Sequence, residues 1–427
     1  MNALVDNDLI KYIVSEYKRF YDVEPEVIVS APGRLDFLNT HQDYKGLPVV
    51  SVGINLRTYV AISRSPDKYS RVISLNMLRE RRSFQDIFSV ENVYLRENKW
   101  FGNYIRASII ALKQCCEGIG DVLALIYSDV PIAAGLASSA ALLVSFIGSV
   151  NELYGLGLDK KDVAELAYHA EHDVMNIPCG RLDQYGSAYG GIVKIETKPP
   201  YNIEELPGIN GVFVVLDSGI KHSTGDIHPR RQAEINMGLR LLLQMNDLSR
   251  EIREKLASTY YAVKWDMIKY DEIKPYLNRL PDIPRKRIIF TLKMNDSTSL
   301  ALEVLRNNIP CFEKWVSVFG LEWRDKILEA MRSSDPVLSL IGLIMNYQHI
   351  LLRDLYDVSL PKIEKIRNVA LSAGALGAKI SGAGLGGSLI ALTRDRETAR
   401  RVLSNALNNG AVRGWIVDID SGLRRER

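Results

Sequence analysis

The residues best suited to chemistry lie in a few short stretches. Asp129–Leu143, DVPIAAGLASSAALL, reads as an extended lead-in, a turn of small residues and a helix start. Pro131 favours an extended or turn backbone and cannot sit inside a helix. Gly135 and the neighbouring alanines keep side chains out of the way. Ser138 and Ser139 stand where the helix would begin, ahead of the helix formers Ala140, Ala141, Leu142 and Leu143. Free N–H groups and the positive end of the macrodipole make a helix N-terminus attractive to phosphate. Serine hydroxyls there can bind phosphate oxygens or a phosphate-bound magnesium. A buried helix packed through small residues fits the same stretch.

A second stretch, APGRLDFLNTHQDYKGLPVV, interleaves Arg34, Asp36, Asn39, Thr40, His41, Gln42 and Asp43 with Leu35, Phe37 and Leu38. Polar groups set between apolar strands need partners, and a polyol substrate is one source of them; a solvated loop is the other reading. A third, NIPCGRLDQYGSAYGGI, places Asp183 and Gln184 in an irregular, glycine-rich segment. A carboxylate on a turn near a helix start suits a general base, or simply a turn or cap. In the fourth, GAKISGAGLGGSLIAL, Gly382, Gly384, Gly386 and Gly387 sit between two apolar runs. Such glycines let backbone approach a ligand closely. Their spacing gives neither a Rossmann fingerprint nor a P-loop lysine signature.

Hydrophobic periodicity supplies the elements that must position these residues. Leu4–Tyr21 has helical spacing at Leu9, Ile10, Tyr12, Ile13 and Tyr17. Strands are expected at Val27–Ser30, Val49–Ile54, Thr58–Ser63, Val72–Leu75, Val122–Tyr127, Ile192–Ile195 and Gly211–Asp217. Lys99–Cys115 looks helical after an aromatic start, and Cys115-Cys116, at its end, receives no chemistry. The helix after the serines runs to about Tyr154; another covers Asp159–Val174, with Glu171 near its end. Gln232–Leu243 and much of 250–350 read as helices whose tryptophans are most simply core. SGIKHSTGDIHPRRQAE is a polar loop whose Lys221, His222, Arg230 and Arg231 face either phosphate or solvent. KPPYNIEELPG marks a linker, giving domains over 1–200 and 201–427. The tail GLRRER reads as a frayed, charged end.

With 427 residues the chain is too long for one ordinary core, so two domains or a bilobal unit are expected. Its 54 basic and 51 acidic residues leave a net charge of +3, which gives no electrostatic case for a nucleic-acid or membrane partner. The four cysteines lack zinc-site spacings and are too sparse for a disulfide framework, as expected of a reducing, cytoplasmic compartment. Nothing at the N-terminus resembles a signal peptide. Val130–Val150 is uncharged and long enough to span a bilayer, yet it contains Pro131 and Gly135 and reads as a buried helix.

Three of these stretches, APGR with HQDY, PIAAGLASSAAL and KISGAGLGGS, resemble in their order the motifs of the galactokinase, homoserine kinase, mevalonate kinase and phosphomevalonate kinase (GHMP) superfamily. The resemblance implies an α+β, two-lobed kinase with a ribosomal-protein-like N-terminal lobe and a ferredoxin-like C-terminal lobe. GRLDFLNTHQDYKG, EHDVMNIPCGRLDQYG, DSGIKHS with HPRRQ, and LRDLYDVSLPKIEKI are similar to the galactokinase branch. Carried over on those motifs, Asp183 matches the catalytic base and Arg34 its basic partner. Ser138 and Glu171 match ligands of Mg2+. Ala134, Gly135, Leu136, Ala137, Ser138, Ser139 and Ala140 match the phosphate loop, with Gly384 in the third motif. His41, Asp43 and Gly180 match sugar-binding positions. Trp100 or Phe101, before Asn103-Tyr104, matches the adenine-stacking aromatic.

Two departures stand out. Thr40 occupies the position of a glutamate that faces the sugar's 6-hydroxyl, and a neutral residue there gives up a charge-assisted hydrogen bond. His228, before Pro229, stands where the branch has a sugar-contacting tyrosine. The resemblance implies an ATP-dependent sugar 1-kinase with galactose as the expected substrate. L-arabinose or galacturonate is the alternative at the C6 end, and a non-catalytic sugar sensor on the same fold comes behind both. A monomer or weak homodimer, with small-molecule partners alone, is expected.

Overall fold

The computed structural model describes residues 3–97, 100–220 and 224–427. Its strands are β1 Val27–Leu38, β2 Val49–Arg64, β3 Ser70–Ser74, β4 Gln85–Phe88, β5 Val122–Ser128, β6 Ile192–Ile195, β7 Ile203–Leu206, β8 Val212–Asp217, β9 Gly377–Ser381, β10 Ser388–Thr393, β11 Arg413–Val417 and β12 Arg424–Arg425. The chain forms two compact units. One holds the chain up to Leu35, Val52–Gly191 and Ile419–Arg427; the other holds Asp36–Ser51 and Ile192–Asp418. This grouping differs from a single boundary after residue 200. β1 and β2 each run from one unit into the other, and linker composition carries no sign of such crossings.

In the first unit the strands run in the order β12-β1-β2-β5-β3-β4. β2 is antiparallel to β5, from Thr58 opposite Ser128 to Arg64 opposite Val122, whereas β3 is parallel to β5. The helix Ala3–Tyr21 buries Ile13 and Tyr17 fully. The Tyr17 hydroxyl finds Ser63 Oγ at 2.6 Å and the Leu123 carbonyl at 3.0 Å, so a polar tip is satisfied inside an apolar layer. Helices Asn103–Lys113, Ser138–Tyr154, Lys160–His169 and Leu182–Tyr189 pack on one another.

Two expectations about local structure are corrected here. β1 does not stop at Ser30; it continues through Pro32 and Gly33, with all of its residues buried. Pro32 has no N–H to satisfy, and its carbonyl accepts from Ser187 Oγ at 2.7 Å. The charged tail is not frayed. Arg424 and Arg425 form β12 opposite Ser30 and Val29 of β1. The reason is Arg57, buried within β2. Its guanidinium donates to Asp420 Oδ2 at 2.9 Å and to the Ser421 and Gly422 carbonyls, each at 2.7 Å. A buried guanidinium must have such partners; Ser30 of β1 takes two of its hydrogen bonds, and the tail segment supplies the other three.

In the second unit an antiparallel sheet runs β11-β8-β10-β9, and β6 pairs antiparallel with β7. Helices Thr224–Leu243, Asp282–Leu305, Pro336–Asp354, Pro361–Ser372 and Arg396–Asn408 complete it. Trp265 and Trp315 are buried core residues, as their apolar context suggests. No helix among the described residues is long and apolar enough to cross a membrane.

Candidate active site

The expected site residues fall into two groups, one within each unit. In the first, Arg34 is the organising cation. Its Nε and Nη2 both donate to Asp183 Oδ1, at 2.9 and 2.5 Å, and Nη1 donates to the Gly135 carbonyl at 2.7 Å. The Arg34 backbone N–H donates to the Leu136 carbonyl at 3.1 Å. A Cβ on Gly33 would stand 2.8 Å from that same oxygen, so glycine is required for β1 to lie against the loop. Asp183 is not on an irregular turn: it occupies the first turn of the helix Leu182–Tyr189. The glycine-rich composition concealed eight helical residues, because Gly186 inside the helix is a poor helix former.

The loop before Ser138 places Ala133, Gly135 and Ala137 at φ of 59°, 72° and 57°. Left-handed residues alternating with others turn successive N–H groups into a concave anion-binding nest. Alanine in that conformation costs about 1–3 kcal/mol, strain that a merely structural turn would relieve with glycine. The helix then opens at Ser138 with Ala137 at its N-cap and no side-chain cap, leaving its first amides available.

Glu171 lies in a π-helical turn, Ala170–Val174, that follows the helix Lys160–His169. Such turns are frequent at functional sites. Its carboxylate is buried and accepts from Gln184 Nε2 at 2.7 Å and from the Ser139 hydroxyl. Burial, then the charge of Asp183, pushes the Glu171 carboxyl above the usual carboxylate range, against the Ser139 and Gln184 hydrogen bonds and the Arg34 charge. Burial with Glu171's charge also pushes the Tyr104 hydroxyl and the Cys179 thiol up to about 12. Gln184 Oε1 is buried with no partner among the described residues. A surplus of buried negative charge and an orphaned oxygen suit a hard divalent cation, and the hydroxyl and carboxylate donors are of the matching type. Gln184 was the less obvious member of this group; its adjacency to Asp183 was the signal the sequence offered.

Trp100 and Phe101 are half-buried with ring centroids 5.0 Å apart, and the Arg96 guanidinium lies 4.6 Å from the Trp100 ring. Asn103 holds the preceding loop, accepting from Arg96 N–H and donating to the Arg96 and Glu97 carbonyls. Gly180 lies on an exposed loop. Beside it Arg181 forks onto Glu165 at 2.8 and 3.1 Å.

In the second unit, His41 adopts φ 67° and is buried. Its Nε2 sits 3.0 Å from the Ala383 carbonyl, which ties the polar signature to the glycine-rich loop. His228 lies 5.2 Å from both the His41 and the Tyr44 rings, and Tyr356 lies 4.9 Å from His41. The Tyr44 and Tyr356 hydroxyls hydrogen-bond each other. Burial, with the charges of His228 and Lys45 adding to it, holds His41 well below its usual range, so the ring is neutral at pH 7. Asp43 opens the 3-10 turn Asp43–Lys45 and is half-buried.

Thr40 is buried. Its hydroxyl donates to Asp36 Oδ1 at 3.0 Å and accepts from Lys379 Nζ at 2.8 Å. Lys379 also donates to the Asp36 carbonyl at 3.1 Å, and Gly382 N–H donates to Asp36 Oδ2 at 3.2 Å. Gly384, at φ 78°, faces Val358, whose carbonyl would lie 2.6 Å from an added Cβ. Arg230 and Arg231 pair with Glu234. Lys221 and His222 lie outside the described residues.

Comparison with known proteins identifies the family. The GHMP kinases N terminal domain matches residues 103–191, the GHMP kinases C terminal domain 327–412, and the galactokinase galactose-binding signature 15–64. The galactokinase of Roseiflexus sp. (strain RS-1) is 29% identical over 93% of this chain and 91% of its own length. That of Pyrococcus furiosus is 27% identical over 88% and 91%. Among solved structures, Lactococcus lactis galactokinase complexed with galactose superposes with a TM-score of 0.75 at 20% identity, covering 97% of this chain and 99% of that one. Methanococcus jannaschii mevalonate kinase gives 0.61 at 16%, covering 92% and 98%. The matched domains, the relatives and the shared fold place the chain among the GHMP kinases. Within that superfamily the chain belongs to the galactokinase branch, a branch of ATP-dependent sugar kinases.

Proposed function

We propose that this chain phosphorylates the anomeric hydroxyl of galactose, giving galactose 1-phosphate and ADP. The observation that carries the reading is the Arg34–Asp183 pair, joined through Gly135 to an anion-binding loop. Asp183 accepts the anomeric proton as the sugar oxygen attacks the γ-phosphorus, and ADP leaves. Arg34 orients the Asp183 carboxylate and offsets the developing charge. The amides of 134–140 cradle the ATP phosphates, Gly384 lies in the third motif's nucleotide loop, and Trp100 or Phe101 stacks on adenine. Ser138 and Glu171 would hold Mg2+, which supplies charge neutralisation on the phosphates when bound. His41, Asp43, Gly180 and His228 read the sugar hydroxyls. A cytoplasmic monomer or weak dimer fits the sparse cysteines and near-balanced charge.

A specific observation favours a second reading of the C6 end. Thr40 is neutral, and its hydroxyl is already shared between Asp36 and Lys379. A sugar with no C6, such as L-arabinose, or one with a carboxylate there, such as galacturonate, loses nothing at such a position. Coupled ADP release with ATP, magnesium and each of galactose, L-arabinose, galacturonate and glucose tests both. Turnover with galactose, absent in Asp183→Asn, supports the first reading. Turnover confined to arabinose or galacturonate replaces it with the second.

A further inference from the structure

The cysteines at 115 and 116 lie outside the kinase site and close the end of the helix Asn103–Lys113. Residues adjacent in sequence ordinarily point apart: about 100° in a helix, to opposite faces in a strand. Here the turn after the helix brings both backbone N–H groups onto the Leu112 carbonyl, at 3.2 and 2.9 Å. The two side chains then fall on one side, with Sγ···Sγ 3.2 Å. A disulfide would need about 2 Å, so these are two reduced thiols in contact. Cys115 is exposed and Cys116 half-buried, so the pair is open to solvent.

We propose that Cys115 and Cys116 form a vicinal dithiol site for trivalent arsenicals, held as a two-sulfur chelate; the proposal is independent of the kinase assignment. Sulfur is the soft donor that selects soft, thiophilic centres over the hard cations of a phosphate site. The first sulfur to bind presents the second at very high effective concentration, so the closed chelate outlasts any single-thiol adduct. With an arylarsonous acid, two As–O bonds break and two As–S bonds form. The two hydroxyl groups leave as water with the two thiol protons, and arsenic stays trivalent, so no oxidant or reductant is involved. The remaining cysteines offer no such pair: Cys179 is half-buried in the Glu171 cluster and Cys311 is a single exposed thiol.

The test uses the whole folded chain with hydrated phenylarsine oxide and native mass spectrometry. One phenylarsenic adduct per chain is expected, retained in excess 2-mercaptoethanol and removed by 2,3-dimercaptopropanol. It should be lost in Cys115→Ser and in Cys116→Ser, and kept in Cys179→Ser and Cys311→Ser. Unchanged thermal melting establishes that each variant is folded. An adduct stripped by the monothiol, one that survives Cys115→Ser or Cys116→Ser, or one formed only after denaturation overturns the proposal.

Discussion

Arg34 grips a single oxygen of Asp183: Nε and Nη2 both reach Oδ1, at 2.9 and 2.5 Å, rather than forking across the two carboxylate oxygens. The guanidinium fixes the carboxylate's orientation while leaving Oδ2 uncommitted to Arg34, which is the arrangement a proton acceptor needs. Asp183→Asn keeps the shape and removes the basicity. Its kcat should fall about 10²- to 10⁴-fold, the usual range for a general base, with ATP affinity measured by calorimetry nearly unchanged.

Arg34 does two jobs, and lysine can do only one of them. Arg34→Lys keeps a cation but loses the planar fork that serves Asp183 and Gly135 together. Losing one charged hydrogen bond of about 1.5–3 kcal/mol predicts roughly a tenfold to hundredfold fall in kcat/KM. Because the lost bond includes the loop carbonyl, KM for ATP should rise as well. An unchanged KM for ATP would show that Gly135 does not depend on this contact.

Thr40 bridges a buried acid and a buried base. Thr40→Val is nearly isosteric and removes the bridge. It should lower unfolding free energy by about 1–3 kcal/mol, the cost of leaving buried polar partners unsatisfied. Urea denaturation reads this directly.

Burial lowers the Lys379 ammonium to about 8, while the Asp36 charge opposes the shift. The unfolded lysine holds its proton up to its ordinary pKa near 10.4. Between about 8 and that value the unfolded chain binds more protons than the folded one, so this residue makes stability rise with pH across the window. The contribution approaches about 1.4 kcal/mol per pH unit. Lys379→Met should flatten the difference in stability between pH 8 and pH 10; an unaltered slope would rule the residue out as its source.

A chain ending at Asp418 loses β12, the Asp420 carboxylate and the Ser421 and Gly422 carbonyls that Arg57 bonds, keeping only its contacts to Ser30. Stranding a buried charge costs about 3–5 kcal/mol, so the truncated protein should melt well below the full chain in calorimetry.

How much of this was visible in the sequence depended on the range of the interactions. The helix Ser138–Tyr154, the strand Ile192–Ile195 and the small-residue loop before Ser138 announce themselves by local pattern, and so do their boundaries. Asp183 stood out as a candidate base from its position near a helix start and from its motif, while glycine-rich composition masked the helix beneath it. Thr40 marked itself as a departure, but its partner Lys379 lies 339 positions away and no local pattern links them. The tail was misread for the same reason. Its arginines look solvated until Arg57, in the middle of what seemed a broken strand, is seen to need Asp420, Ser421 and Gly422.

The pairing of Arg57 with Asp420 spans 363 positions. During synthesis at about 5–20 residues per second, Arg57 emerges on the order of tens of seconds before its partner exists. Through that interval the first unit contains a guanidinium destined for the interior with only Ser30 to receive it and no counter-charge from Asp420, and one edge of β1 stays open. The nascent chain therefore has a built-in waiting period, during which a chaperone would find an unpaired strand edge to hold.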